Sequence, residues 1–291
     1  MQVTEKIHTV KVPFKIPVAP DTVIDRTVYV TLIFGREITL IDTGVKGAHD
    51  QLFAYIEQQG RKRENIRTII LSHSHPDHIG SAKTIRDVTG AAVLAHPFEK
   101  QWIEDTDKQK NERPVPGFDM LVEGPVTLDS ILEDGQTLVT GDDFRCQVFH
   151  TPGHSKGSIS LVFTEEKVLF TGDALPMPGD LPIYDDMATS LRSLRKLLDL
   201  SAGANTVLSS WEEPVQGKEE ISRRIRGSIA YLERIHNAVL HHHKKHNETG
   251  MALCRMVVEE IGLPPFAANP LVAKAFMSSL ALVDRKDLFN F

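Results

Sequence analysis

Two cysteines in 291 residues are too few for a disulfide framework. Cys146 and Cys254 lie far apart, one in a strand-like stretch and one in a helix-like stretch, and read as buried free thiols. No window approaches the roughly 20 apolar residues of a membrane span. The opening Met1-Gln2-Val3-Thr4-Glu5-Lys6 lacks an apolar signal core. A cytoplasmic soluble chain with no membrane partner is the expectation. Basic charge is short too: Lys and Arg total 33 against 39 Asp and Glu, a net charge of −6. With no clear basic–aromatic stripe, this weighs against nucleic acid as the main partner, although a local basic patch stays compatible. Internal repeats and low-complexity tracts are missing. The remainder is ordinary for a globular protein, 41% hydrophobic and 25% charged. Its length suits one large domain, or one domain with an appendage.

Histidine is what the chain concentrates. His73-Ser74-His75-Pro76-Asp77-His78 places four potential metal ligands in a short stretch. They follow Thr68-Ile69-Ile70-Leu71, an apolar run that reads as a buried strand. Residues two apart on an extended segment share a side, so His73 and His75 point together. Pro76 cannot continue a strand ladder simply and suits the first position of a helix. Asp77 and His78 fall in that first turn. Imidazoles and a carboxylate converging there suit zinc, iron or manganese. A histidine-rich turn can also be merely solvated, but a strand–turn–helix context is what a metal site needs.

Strand and helix signals alternate through the first two hundred or so residues. Val28–Phe34 and Glu37–Ile41 read as strands, with Asp42-Thr43-Gly44 ending the second. A helix is expected from about Gly47 to Gln59, closed by Gly60. Another carries Ile79, Ala82, Ile85 and Val88 and ends at Gly90, before a strand at Ala91–Ala95. From Pro97 to Gly124 the chain reads as polar and irregular, a length that is usually functional or mobile. Strands resume at Leu138–Val139, Arg145–Phe149, Ile159–Phe163 and Val168–Phe170. A helix follows from about Thr189 to Leu200, then a strand at Thr206–Leu208. From Lys218 to about His246, Ile221, Ile225, Ile229, Leu232, Ile235 and Val239 mark one long amphipathic helix. Two shorter helices follow, separated by Pro264-Pro265. We therefore divide the chain into a domain over 1–214 and an all-helical extension over 215–291. His241-His242-His243 sits inside the long helix beside two lysines and reads as a solvated helix end.

Further ligand candidates stand at strand ends: His154 in His150-Thr151-Pro152-Gly153-His154, Asp173 in Thr171-Gly172-Asp173, and Asp42. Gly172 would let the backbone approach a site closely. With these motifs in this order, residues from about 10 to 212 resemble the metallo-β-lactamase superfamily. The matching motifs are His73-x-His75-x-Asp77-His78, Thr151-Pro152-Gly153-His154, Thr171-Gly172-Asp173 and Asp42-Thr43-Gly44. The resemblance implies an α/β fold, a four-layer αββα sandwich with its site at one edge. It implies that His73, His75 and His154 bind one metal, that Asp77 and His78 bind a second, and that Asp173 bridges them. Asp42 would hydrogen-bond a ligand or shape its loop.

One departure matters. Most dinuclear members place a further histidine after the last core strand, where this chain has Trp211, and indole cannot ligate a metal. Glu212 or Glu213 would then replace it, or three ligands suffice, or only the first metal is held. Trp211 reads equally as pocket wall or core; Phe118, Met120 and Trp102 are candidate apolar contacts in the loop. Lys156 is a candidate for an anionic group, though a solvated lysine is the simpler reading. The expected activity is that of a zinc hydrolase with one or two ions, iron or manganese being alternatives. It would use a metal-bound hydroxide oriented by Asp77. Thr151-Pro152-Gly153-His154-Ser155-x-Gly157-Ser158 resembles the glyoxalase II and thioesterase-like branch, so a small thioester or lactone is the expected substrate. Open alternatives are a mononuclear-iron persulfide-dioxygenase-like enzyme, a ribonuclease or phosphodiesterase, and a non-catalytic binding protein. The apolar stripe of the long helix suits packing on its own chain or on a second copy in a homodimer.

Overall fold

The computed structural model describes residues 1–19, 21–140, 144–285 and 288–289. They form two compact units. The first comprises Met1–His150, Gly157–Gly172 and Leu208–Pro214; the second comprises Thr151–Lys156, Asp173–Val207 and Val215–Phe291.

The first unit opens with β1 (Ile7–Ala19) and β2 (Thr22–Phe34), a long antiparallel hairpin. Next come β3 (Ile38–Ile41), α1 (Ala48–Gln58), β4 (Ile66–Leu71), α2 (Pro76–Ile79), α3 (Ala82–Thr89) and β5 (Ala92–Ala95). Three short helices follow, α4 (Lys100–Glu104), α5 (Thr106–Glu112) and α6 (Phe118–Leu121), and then β6 (Ser130–Ile131). Strands β1 to β6 lie in that order in one sheet, antiparallel up to β3 and parallel from β3 to β6. The second sheet begins with β7 (Thr137–Thr140), β8 (Phe144–His150), β9 (Ile159–Phe163) and β10 (Val168–Gly172), joined by antiparallel ladders.

Alternation sorts the side chains of the first sheet. Val28, Val30, Leu32, Ile38, Leu40, Ile69 and Leu71 pack in one core with Leu52, Ile56 and Ile85 from α1 and α3. Their sequence neighbours Ile33, Ile41 and Ile70 point to the opposite face. There they meet Val148, Leu161 and Phe170 of the second sheet. With both faces covered, these strands show runs of buried residues rather than simple polar alternation.

The second unit carries α7 (Met187–Leu200), the paired strands β11 (Thr206–Ser209, whose last two residues belong to the first unit) and β12 (Val215–Gln216), and then α8 (Lys218–His246), α9 (Gly250–Glu260) and α10 (Pro270–Leu280). The second sheet runs β12-β11-β10-β9-β8-β7. Glu219 and Glu220 stand in the first turn of α8, and His243, Lys244, Lys245 and His246 in its last. Each set matches the sign of the helix dipole. Ile221, Ile225, Ile229, Leu232, Ile235 and Val239 are all buried. Helix α8 packs with α7, α9 and α10 of the same chain. The helical unit thus includes α7, from before residue 215.

The structure corrects two expectations. Residues 97–124 are not irregular: α4, α5 and α6 occupy much of that segment. These helices are too short for apolar periodicity to register, and single residues such as Ile103, Phe118 and Leu121 anchor them. Strand β1 was not anticipated at all. Two prolines interrupt its apolar pattern, but it is an edge strand of its sheet, where proline is tolerated.

Candidate metal centre

Strand register builds the first part of the site. β3 and β4 are parallel neighbours, and Asp42 and Ser72 are the residues that follow their last positions, Ile41 and Leu71. The Ser72 N–H and hydroxyl each donate to the Asp42 carboxylate at 2.7 Å. Having spent its proton there, the Ser72 oxygen accepts from His73 Nδ1 at 3.0 Å. His78 Nδ1 also donates to Asp42, at 2.8 Å. Carboxylate oxygens only accept, so both rings carry their proton on Nδ1 and turn an Nε2 lone pair outward. Asp42, fully buried at φ 62°, holds a left-handed conformation that few non-glycine residues adopt. Pro76 opens α2 at its first turn, with His75 as the N-cap residue. The rings of His73 and His75 lie 4.5 Å apart, and those of His73 and His78 4.0 Å apart.

Gly172, at φ 52°, ends β10 against Ser72: a Cβ there would sit 3.2 Å from the Ser72 oxygen. The approach expected of this glycine is therefore to the residue that supports His73. In the second unit, His154 Nδ1 donates to the Ile183 carbonyl at 2.8 Å, which again leaves Nε2 as the ligand atom. That Nε2 lies 3.2 Å from Asp173 Oδ2.

One ligand atom from each of His73, His75, His154 and Asp173 lies within 4.8 Å of all the others. Zinc bonds to nitrogen and oxygen are about 2.0–2.2 Å, so two ligands of one ion lie within roughly 4.4 Å of each other, and donors spread over up to 4.8 Å would draw in by a few tenths of an ångström on binding one. Three imidazoles and one carboxylate at this spacing, with two of the three tautomers set by their partners, fit a divalent ion. These four residues are a group that could hold a metal ion.

The other candidates fall outside that group. Asp77 Oδ2 lies 3.6 Å from His78 Nε2, so the two face each other beside it. Glu212 accepts from the Ser209 hydroxyl at 3.1 Å, and Glu213 is exposed. Trp211 is half-buried, 6.4 Å from the Phe14 ring, with the Arg26 guanidinium 4.3 Å over its own ring. It thus packs on the β1–β2 hairpin. Phe118 is 6% exposed and belongs to the core, whereas Met120 is 62% exposed. The Trp102 indole donates to Glu112 at 2.8 Å, and Lys156 is exposed. Both cysteines are buried and free. Burial pushes the Cys146 thiol up to about 12 and Cys254 up to about 11, so neither is a thiolate at neutral pH.

The profile of the Metallo-beta-lactamase superfamily matches residues 23–204. The chain belongs to this superfamily. A hydroxyacylglutathione hydrolase from Haemophilus influenzae is 28% identical over 173 residues, 57% of this chain and 76% of that one. An acyl-coenzyme A thioesterase from Gallus gallus is 30% identical over 141 residues, 45% of this chain and 50% of that one. A metallo-beta-lactamase family protein from Thermus thermophilus superposes with a TM-score of 0.70 at 22% identity, covering 95% of this chain and 94% of its own. The likeness of fold to that protein extends over 95% of this chain, beyond the residues that the profile matches. No helix among the described residues is long and apolar enough to cross a membrane.

Three residues were missed by sequence reasoning. Ser72 relays Asp42 to His73, as above. Glu99 and Gln109 hold the backbone of Ser74, between the two histidines. Nothing in Pro97-Phe98-Glu99-Lys100 marks a buried acid.

Proposed function

We propose that the protein is a zinc-dependent hydrolase of small thioesters or lactones. The donor set of three histidines and one aspartate carries the proposal. Two similar proteins, one named a hydroxyacylglutathione hydrolase and one an acyl-coenzyme A thioesterase, support the substrate class. A zinc ion held there supplies Lewis acidity, which activates water and polarises a carbonyl. The chain's own residues do the rest. Asp42 orients His78 directly and His73 through Ser72, and the Ile183 carbonyl orients His154. Asp77 and His78 face each other beside the four ligands, where a second, weaker ion would bind. With no second ion bound, Asp77 would orient water and hold a proton. The test is hydrolysis of a thioester and a lactone panel by zinc-loaded protein and by His75→Ala. Activity in the first that vanishes with the metal in the second supports the reading. Activity that survives in His75→Ala refutes it.

A second reading has one observation behind it. Among the described residues, the donors gathered within 4.8 Å of one another suffice for one ion and include neither Asp77 nor His78. That suits a mononuclear-iron oxidoreductase resembling persulfide dioxygenases. Protein purified with one iron per chain, and inert toward thioesters, would replace the hydrolase reading with this one.

A further inference from the structure

Glu99 is a buried acid outside the four-residue metal group. It is 2% exposed, in the turn between β5 and α4. One carboxylate oxygen accepts the Ser74 N–H at 3.0 Å and the Ser74 hydroxyl as well. The other accepts the N–H of Gly157. A buried carboxylate with three donors on two segments is a brace, and both segments matter. Ser74 sits between His73 and His75; Gly157 lies three residues beyond His154. Gln109 completes the hold by donating its side-chain amide to the Ser74 carbonyl. Both polar groups of the Ser74 backbone are thus held by side chains from the segment that connects β5 to β6. Gly157 admits no side chain in this arrangement: a Cβ there would lie 2.7 Å from Glu99 Cγ and 3.0 Å from His96 Nδ1.

We propose that Glu99 is a positioning residue for metal binding. By accepting from Ser74 and Gly157 together, it fixes the backbone that aims His73 and His75. The bare backbone of Gly157 makes the second contact possible, and Gln109 holds the Ser74 carbonyl. The inference rests on the four-residue metal site and not on the substrate, so it stands or falls separately from the thioesterase reading. Glutamine in place of Glu99 keeps one carbonyl oxygen and turns an NH2 group toward a backbone donor. It can satisfy one segment but not both.

The experiment measures zinc affinity of the full-length protein by chelator competition and records the visible absorption of the cobalt-substituted form. Glu99→Gln is expected to weaken zinc binding by about 10–100-fold, the range for partners that orient ligands, and to change the cobalt spectrum. Asp129→Asn is the control. Asp129 also accepts a backbone N–H, that of Val93, and pairs with Arg86 at 2.8 Å, so its loss lowers stability without touching Ser74. It should keep wild-type affinity and spectrum. If Glu99→Gln does not fold, Ser74→Ala decides, since it removes only the hydroxyl contact; a several-fold loss of affinity is expected. Wild-type affinity and spectrum in Glu99→Gln, or in Ser74→Ala where that variant stands in, would overturn the proposal. So would an equal loss in Asp129→Asn.

Discussion

The chain has two histidine-rich stretches, and they share little beyond composition. His73, His75 and His78 follow a buried strand, and all three side chains are buried. Asp42 reaches two of them, so their ring nitrogens are assigned before any ion arrives. His241, His242, His243 and His246 ride the end of α8, partly or fully exposed. His242 meets Glu260 at 2.8 Å, and His243 Nδ1 donates to the Glu248 carbonyl at 2.9 Å. These partners suit a helix terminus, where positive charge is favoured. A metal site therefore depends on what holds the imidazoles, not on how many are present.

The sharpest way to break this contrast is to remove one histidine from each stretch. His75→Ala should abolish zinc retention and thioester hydrolysis; His242→Ala should leave both intact. Metal analysis and a hydrolysis assay on the two variants check this, and equal losses would erase the distinction. Asp42→Asn tests whether the network supplies the difference. It keeps the size of the side chain but sets an NH2 group among donors, and should weaken zinc binding by about 10–100-fold.

Much of this was legible in the sequence, and the residues show why. Ligands at strand ends announce themselves by type and spacing, as His73, His75 and His154 do. The long helix was readable to its ends because a six-residue apolar stripe repeats along it. Residues that act through the backbone left no such trace. Glu99 and Gln109 are ordinary polar residues until folding buries them against Ser74. That Trp211 cannot ligate is legible from its indole alone. Its packing on Phe14 and Arg26 was not visible, because the partners lie on a hairpin whose first strand carries prolines.

The helical stretch should answer to packing instead of metal. Ile225→Ala removes a fully buried side chain of α8 and should cost about 2–5 kcal/mol. Urea unfolding with and without zinc checks this. If zinc restored the loss in full, the helix would be tied to the metal centre after all.

A histidine pair outside both stretches separates stability from metal binding. His96 and His150 stack at 4.1 Å. Burial first, and then the neighbouring His150, push the His96 pKa down to about 4 from 6.5. Between those values the unfolded chain binds a proton that the folded chain does not. Stability should therefore fall as pH drops from about 6.5 toward 4. Unfolding midpoints across that range should slope less in His96→Asn. An unchanged slope would assign the loss to other groups. The smallest effect is expected at Trp211→Ala, about 1 kcal/mol from the lost ring and cation contacts. Zinc content should stay the same, and its loss would place Trp211 within the metal centre.

The central claim is that His73, His75, His154 and Asp173 hold a catalytic ion. Metal content and thioester hydrolysis, measured on one preparation before chelation, after it and after zinc is restored, test that claim most directly. We predict at least one zinc per chain and hydrolysis that disappears with the ion and returns with it. Hydrolysis that persists in the metal-free protein would contradict the account.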